Sequence, residues 1–408
     1  MSEPNRTKNN VWWLSATSFL TDISSEMIFP ILPIFLKSVL GASFGLIGVI
    51  EGVAEGLGSL LKYFSGFLSD KIHRRKGLTL AGYGLSALSK LFFALANNPI
   101  TVLLFRSVDR IGKGIRTSPR DALIAESVDE HERGKYFGIH RAFDTAGAII
   151  GTIIAIAILY LFENNISEAI RSVLLLSFIP AALGVALLFF VKEVRMDRVV
   201  ASSKKLFNFG KFSRQFKIFL VVAALFGLAN YSYSFYILRA HDVGIFIALI
   251  PAIYLIYNIF YAFSSYPAGK LSDRIGRSPV LIGAFILFAI CNLLFAFAAN
   301  KTSIWFLFAL YGLFIGLTDG VFKAFVSDLA ARESQGEAFG LYHTVIGLAT
   351  LIGNTGAGFL WQWYGAAWPF IISAGLIILA IIVLVFVFYN HESIKTENGA
   401  RDFRGYRG

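Results

Sequence analysis

Apolar runs near or above about 20 residues, the length a helix needs to cross a hydrocarbon layer, follow one another along the whole chain. They cover 12–36, 45–67, 77–96, 100–124, 136–160, 171–191, 218–238, 244–267, 280–299, 304–325, 338–362 and 368–389. In lipid a helix closes its backbone hydrogen bonds within the segment, so the pattern predicts an all-α membrane protein of twelve transmembrane helices. Residues 1–10 are polar and lack the short apolar core and small-residue cleavage site of a signal peptide; they read as an uncleaved cytoplasmic tail.

Composition agrees. The 408 residues are 56% hydrophobic and 15% charged, against about 25% charged in soluble proteins, which argues against a soluble enzyme. The net charge of +11 would suit a nucleic-acid partner, but its placement argues otherwise. With the N-terminus inside, 24 Lys and Arg fall in cytoplasmic segments and four, Lys37, Arg171, Arg239 and Lys301, fall outside. By the positive-inside bias, both termini are expected in the cytoplasm and the chain in a bacterial inner membrane. The single cysteine, Cys291, excludes a disulfide framework and Cys-based metal sites. The chain has no phosphate-binding G-x-x-x-x-G-K-[ST] loop, so direct use of ATP is not expected.

One long basic stretch, 192–217, separates six helices (1–191) from six (218–408). The halves repeat: GFLSDKIHRRK at 66–76 recurs as GKLSDRIGRSP at 269–279. Gly134, Phe137, Gly138, Ile150 and Gly151 recur as Gly336, Phe339, Gly340, Ile352 and Gly353. Transporters are often built from such repeats with the site between them. The twelve spans, the basic linker and the duplicated G-x-L-S-D-[KR]-x-x-R loop resemble the major facilitator superfamily. The first copy departs from the family pattern at His73, where the family usually has Gly. The resemblance implies two pseudo-symmetric six-helix bundles working by alternating access, without cofactors. It makes Asp70, Lys71, Arg74, Asp273, Arg274 and Arg277 candidates for a cytoplasmic gate. It also implies that helices 1 and 4 line a central cavity, that 2 and 5 face the other half, and that 3 and 6 face lipid.

Seventeen charged residues fall inside the spans, nine basic and eight acidic, and fifteen are in the first half. At roughly 3 kcal/mol each near mid-bilayer, they are expected to pair or to line water. Asp22 and Glu26 share a face of helix 1, and Glu51 and Glu55 a face of helix 2, by i,i+4 spacing. Helix 4 carries Arg106, Asp109, Arg110, Lys113, Arg116 and Arg120; helix 5 carries His140, Arg141 and Asp144; Lys90 on helix 3 is expected to snorkel. Proton affinity of a carboxylate depends on burial and on nearby cations. Asp22 and Glu26, then Glu51, Glu55 and Asp144, are therefore candidates for proton coupling. Arg106, Asp109, Arg110, Lys113, Arg141 and His140 are candidate substrate contacts or charge partners. A static salt-bridge network accounts for the same charges. A metal or metal-chelate carrier using Asp22, Glu26, His140 and Asp144 is a further alternative, opposed by the helix 4 cations, and a non-transporting receptor or scaffold is another.

The second half offers aromatics instead. Asn230, Tyr231, Tyr233 and Tyr236 lie on helix 7, and Tyr254, Tyr257, Asn258 and Tyr261 form one face of helix 8. Tyr311, Asp319 and Lys323 follow on helix 10. Tyr233, Tyr254, Tyr257, Asn258, Asp319 and Lys323 are candidate substrate contacts, while Tyr261, Tyr266 and Trp361 are expected to anchor or pack near helix ends. Gly147 and Gly151 are spaced for close helix approach. The expected activity is transport of a small amphiphilic solute by a monomer, proton-coupled and outward. The helix 4 stripe makes an anionic solute the expectation.

Overall fold

The computed structural model describes residues 8–72, 75–129, 132–162, 164–193, 212–330 and 334–386, the side chains of 62–72 aside. Asp70, Lys71 and Arg74 therefore lie outside the described side chains, as does most of the basic linker. The first half contains α1 (Asn9–Val39), α2 (Phe44–Ile72), α3 (Arg75–Ala94), α4 (Pro99–Glu126), α5 (Arg133–Leu161) and α6 (Ile166–Phe190). The second contains α7 (Arg214–Asp242), α8 (Ile247–Ile275), α9 (Arg277–Ala296), α10 (Lys301–Leu329), α11 (Gln335–Tyr364) and α12 (Ala367–Leu384). They form the expected all-α fold of two pseudo-symmetric six-helix bundles. Among the described residues ten of these are long and apolar enough to cross a membrane. The remaining two are α3, diluted by Gly and Ser, and α4, which carries the charge stripe.

Most helices extend a few residues past their apolar runs, because hydropathy ends at the bilayer edge whereas the helical ladder continues into the interface. The near side is here the end where α1 begins, and the far side its opposite. On the far side the side chains of Asn98 and Asn300 occupy equivalent places in the repeat. Each accepts a backbone N–H three residues on, from Thr101 at 2.9 Å and Ser303 at 2.8 Å, and so caps α4 and α10.

Two helices are interrupted at matching places. α1 stops at Ile28, resumes at Leu32 and ends in a π-helical turn over Phe35–Val39. Pro30 and Pro33 lack the N–H that a continuous ladder needs. α7 stops at Ala229 and restarts at Tyr233 without any proline. Here side chains from other helices satisfy the freed groups: the Ser232 N–H donates to Asn354 Oδ1 at 2.7 Å, and Ser373 Oγ donates to the Ala229 carbonyl at 2.8 Å. Broken backbone at membrane depth is tolerated only where such partners exist.

The halves meet on the far side. Gly45, Gly48, Gly52 and Gly56 form a glycine face on α2 that lies directly on α11. A Cβ at Gly48 would fall 2.5 Å from the Asn354 carbonyl oxygen and 2.9 Å from the Gly358 Cα. One hydrophobic core cluster runs continuously through the far ends of both bundles, including Ile31–Leu36 of α1 and Phe235–Leu238 of α7. On the near side the first bundle has a separate small core around Val11, Tyr83, Leu123 and Tyr136. Within each bundle glycines again set close crossings. Gly147 and Gly151 of α5 lie on the Phe19 and Ile23 carbonyls of α1, and Gly353 of α11 lies on Leu228 of α7.

Gly48→Val is expected to overpack the α2–α11 contact and cost about 1–3 kcal/mol. This would be read as a lower unfolding temperature in detergent. Gly84→Ala, where an added Cβ meets open space, is expected to leave that temperature unchanged.

Candidate functional site

A cavity of about 530 Å³ lies between the bundles. Every lining residue comes from α1, α2, α4 or α5, or from their counterparts α7, α8, α10 and α11. α3, α6, α9 and α12 contribute none of its lining and present large apolar side chains outward, such as Leu88, Phe92, Leu183 and Ile290. The cavity opens towards the near side, where Arg141 is exposed and Asp319 and Lys323 are about half exposed.

Its first-half wall is polar. Asp22 and Glu26 face it from α1, Glu55 from α2, Arg110 and Lys113 from α4, and Arg141 and Asp144 from α5. Its second-half wall is aromatic, with Tyr233, Tyr254, Tyr257, Asn258, Tyr261 and Tyr311. Their rings form a continuous ladder. Centroids are 5.2 Å apart for Tyr233–Tyr254, 5.4 Å for Tyr254–Tyr257, 5.1 Å for Tyr257–Tyr311 and 6.3 Å for Tyr257–Tyr261. The walls touch where Asn258 Nδ2 donates to Glu26 Oε2 at 3.4 Å.

At the far end of the cavity the two helix breaks face each other across a buried ion pair. Arg106 and Glu51, both fully buried, approach to 3.5 Å. Arg106 Nη2 donates to the Tyr233 hydroxyl at 3.1 Å, and Ser232 Oγ donates to Glu51 Oε2 at 2.8 Å. Glu51 thus sits at the N-terminus of the ten-residue half-helix Tyr233–Asp242, where the helix dipole favours negative charge. The α1 break contributes Phe29, whose ring takes Arg106 at 5.2 Å, Arg110 at 5.1 Å and Lys113 at 5.9 Å, in cation–π geometry. Arg110 also lies 3.6 Å from Glu55.

The helix 4 stripe therefore does not present one cationic face. Arg106 and Arg110 pair with α2, and the Arg116 guanidinium stacks 4.0 Å over Tyr83 of α3. Arg120 donates to Asp121 at 2.8 Å and to Ser18 Oγ at 3.3 Å. Asp109 is buried and lies off the cavity. Lys90 does not snorkel. It is 2% exposed and turns inward, donating to Ser25 Oγ at 3.0 Å and the Thr21 carbonyl at 3.4 Å behind the α1 carboxylates. Tyr261 is likewise no membrane anchor: it lines the cavity and donates to Asp319 Oδ2 at 3.3 Å. Trp361 packs, stacked on Phe44 at 4.8 Å, and Tyr266 is 79% exposed.

In the second signature loop Arg277 donates to Asp273, to Ser272 Oγ at 2.7 Å and to Asp328 Oδ2 at 3.0 Å, tying the α8–α9 turn to α10. Arg274 is exposed. Gly276 in this turn has φ +94°, a left-handed value suited to Gly; its counterpart His73 lies outside the described residues. Lys323 pairs with Asp319 at 2.8 Å. Among the described residues no three His, Cys, Asp or Glu side chains converge to hold a metal ion. Asp22, Glu26, His140 and Asp144 instead spread along the α1–α5 seam and the cavity wall.

Sequence reasoning missed Phe29, Ser232 and Asn354. Phe29 precedes two prolines three residues apart, a break signal inside an apolar run. Asn354 is an amide within the long apolar helix α11, beside Thr355. Ser232 had only the weak signal of a polar triplet, Asn230–Ser232.

The Major Facilitator Superfamily model matches residues 14–245 and 238–405. An uncharacterised MFS-type transporter of Methanocaldococcus jannaschii is 40% identical over 386 residues, covering 93% of this chain and 94% of that protein. The multidrug resistance protein MdtH of Aeromonas hydrophila is 22% identical over 95% of this chain and 97% of its own length. Among solved structures, the nucleoside transporter NupG superposes with a TM-score of 0.77 at 15% identity, covering 93% of this chain and 99% of NupG. This last likeness bears on the fold alone.

Arg106→Met would leave Glu51 buried without its cation, a loss on the order of 3–5 kcal/mol for such pairs. Adding Glu51→Gln, which keeps an acceptor for Ser232, is expected to recover most of the loss in a thermal double-mutant cycle. Additive losses would mean that the pair does not act as a unit.

Proposed function

The chain belongs to the major facilitator superfamily, and from that premise we propose which groups couple its transport to protons and what kind of solute it carries. It is a multi-pass integral membrane protein and a secondary active transporter. The placement of Lys and Arg supports a cytoplasmic near side, and on that reading the conformation described above is inward-open.

One observation carries the coupling proposal. Glu26 of the first half accepts a hydrogen bond from Asn258 of the second, inside the cavity. When the bundles rock apart at this point, Glu26 loses that partner and its exposure to water changes. Burial and neighbouring charge set a carboxylate's proton affinity, so that affinity differs between the two conformations. Asp22, one turn away on the same face, is the second proton carrier. Glu51 is instead a lock, held by Arg106 and Ser232. The near-side loop held by Arg277 is the second copy of the cytoplasmic gate.

The solute is a small amphiphilic organic molecule. A cavity of about 530 Å³ falls within the range of about 300–1,000 Å³ usual for small-molecule sites. The tyrosine ladder offers flat apolar surface with hydroxyls along its edge. An anionic group would meet Lys113 and Arg141, the cations that line the cavity from α4 and α5 beside Arg110. Export is the proposed direction, supported by the full-length similarity to a multidrug resistance protein. The complete cavity within one chain supports a working monomer.

The test is a panel of anionic, neutral and cationic amphiphiles added to proteoliposomes with an imposed pH gradient, reading internal pH. At least one solute is expected to drive proton movement opposite to its own, and Glu26→Gln to lose that movement while retaining solute exchange. Wild-type flux that is indifferent to the gradient and unchanged by Glu26→Gln would reject proton coupling.

A further inference from the structure

Along the seam between α1 and α5, four polar side chains, Asp22, Asp144, His140 and Ser15, descend from the cavity wall towards the near side. Gly147 of α5 lies so close to α1 that a Cβ there would sit 3.2 Å from the Asp22 Cβ. Asp144 follows three residues nearer the near side and lines the same cavity as Asp22. His140 comes one turn further, and its Nδ1 lies 3.2 Å from Ser15 Oγ of α1.

The ring's other nitrogen is the unusual one. His140 is 4% exposed, and its Nε2 has no hydrogen-bond partner among the described residues; Asp144 Oδ1, 3.8 Å away, has none either. Buried polar atoms are nearly always paired. Two of them facing each other just beyond hydrogen-bond length, one on an acid and one on a base, require an explanation.

We propose that Asp144 and His140 form a dyad that takes up one transported proton on the near side of Asp22. This rests on the proton-coupled reading given above and adds the next station of the proton's path. Without the proton, the Ser15 hydroxyl donates to Nδ1, and the Nε2–H faces the Asp144 carboxylate. When one proton arrives, the pair becomes either a neutral carboxyl beside a neutral imidazole or a carboxylate beside an imidazolium. In the second form Nδ1–H donates to Ser15, whose hydroxyl turns from donor to acceptor. Only O–H and N–H bonds form or break, and the dyad releases the one proton it accepted. Such a pair titrates as a unit.

The charged groups facing it are Asp22 from α1, Arg120 and Asp121 from α4, and Arg141 from α5. Arg120 is held by Asp121 and Ser18. The site therefore lies between Asp22 on one side and the cavity that opens towards the near side on the other.

The test needs no solute: infrared difference spectra of the full chain in lipid, recorded as pH is varied. In the wild type, a carboxylic C=O band and an imidazole ring band are expected to titrate with a common midpoint. Asp144→Asn removes the first and moves the second by about one pH unit or more, and His140→Gln moves the first likewise. Ser15→Ala keeps both titrating groups and is expected to displace the imidazole signal. It serves if either other variant fails to fold. Separate midpoints in the wild type, or midpoints indifferent to loss of the partner, would overturn the dyad. Glu26→Gln is the independent arm: loss of its own carboxyl band with the dyad signals intact separates a failure of the dyad from a failure of proton coupling.

Discussion

An ion in hydrocarbon has to be paired or wetted, and that constraint organises this molecule. Arg106 and Glu51 meet it by pairing across two helices of the first half, completely buried. The second half adds two hydrogen bonds to the pair at that depth. Ser232 and Tyr233 do so from the place where α7 breaks. The break in turn needs Asn354 of α11 and Ser373 of α12 to satisfy its backbone. The far-side seal is thus a chain of obligations running from α4 through α2 to α7, α11 and α12. The glycine face of α2 allows α11 to come close enough for that chain to close.

The same constraint, met by water instead of by pairing, makes the cavity. Arg141 stands at its open side, and Asp22, Glu26 and Asp144 line its first-half wall. The tyrosines opposite give a wall that is apolar in area yet lined with hydroxyls, so a solute can leave water without losing every hydrogen bond. The asymmetry between a charged half and an aromatic half assigns different tasks to the two repeats. On the reading proposed above, the first holds the ions that respond to protons, and the second holds the surface that receives the solute.

Much of this was legible in the residues. Twelve apolar runs, a basic interruption and a duplicated loop were enough for the helices and their pairing into halves, because length and hydropathy alone decide what can cross a bilayer. The cavity-lining face of α8 was equally plain, since Tyr254, Tyr257, Asn258 and Tyr261 share one helical stripe. The charge stripe of α4 was misleading. A helix of six charges every three or four residues looks like one face, but the neighbours differ turn by turn, and Arg106, Arg110, Arg116 and Arg120 each find a separate partner. Lys90 was misread for the same reason: a hydropathy profile gives depth in the membrane but not the direction in which a side chain points. The α7 break was hidden because neither proline nor glycine marks it; the polar groups that permit it come from helices more than 100 residues away.

The central claim is that protonation of the α1 carboxylates decides which side of the cavity is open. Distance measurement between spin labels at Ser38 and Phe246, on the far ends of the two halves, tests it directly in a Cys291→Ser background. The account predicts a short far-side distance in one pH regime that lengthens in the other. Glu26→Gln should hold one distribution at every pH. A wild-type distribution that stays the same across the pH range would contradict it.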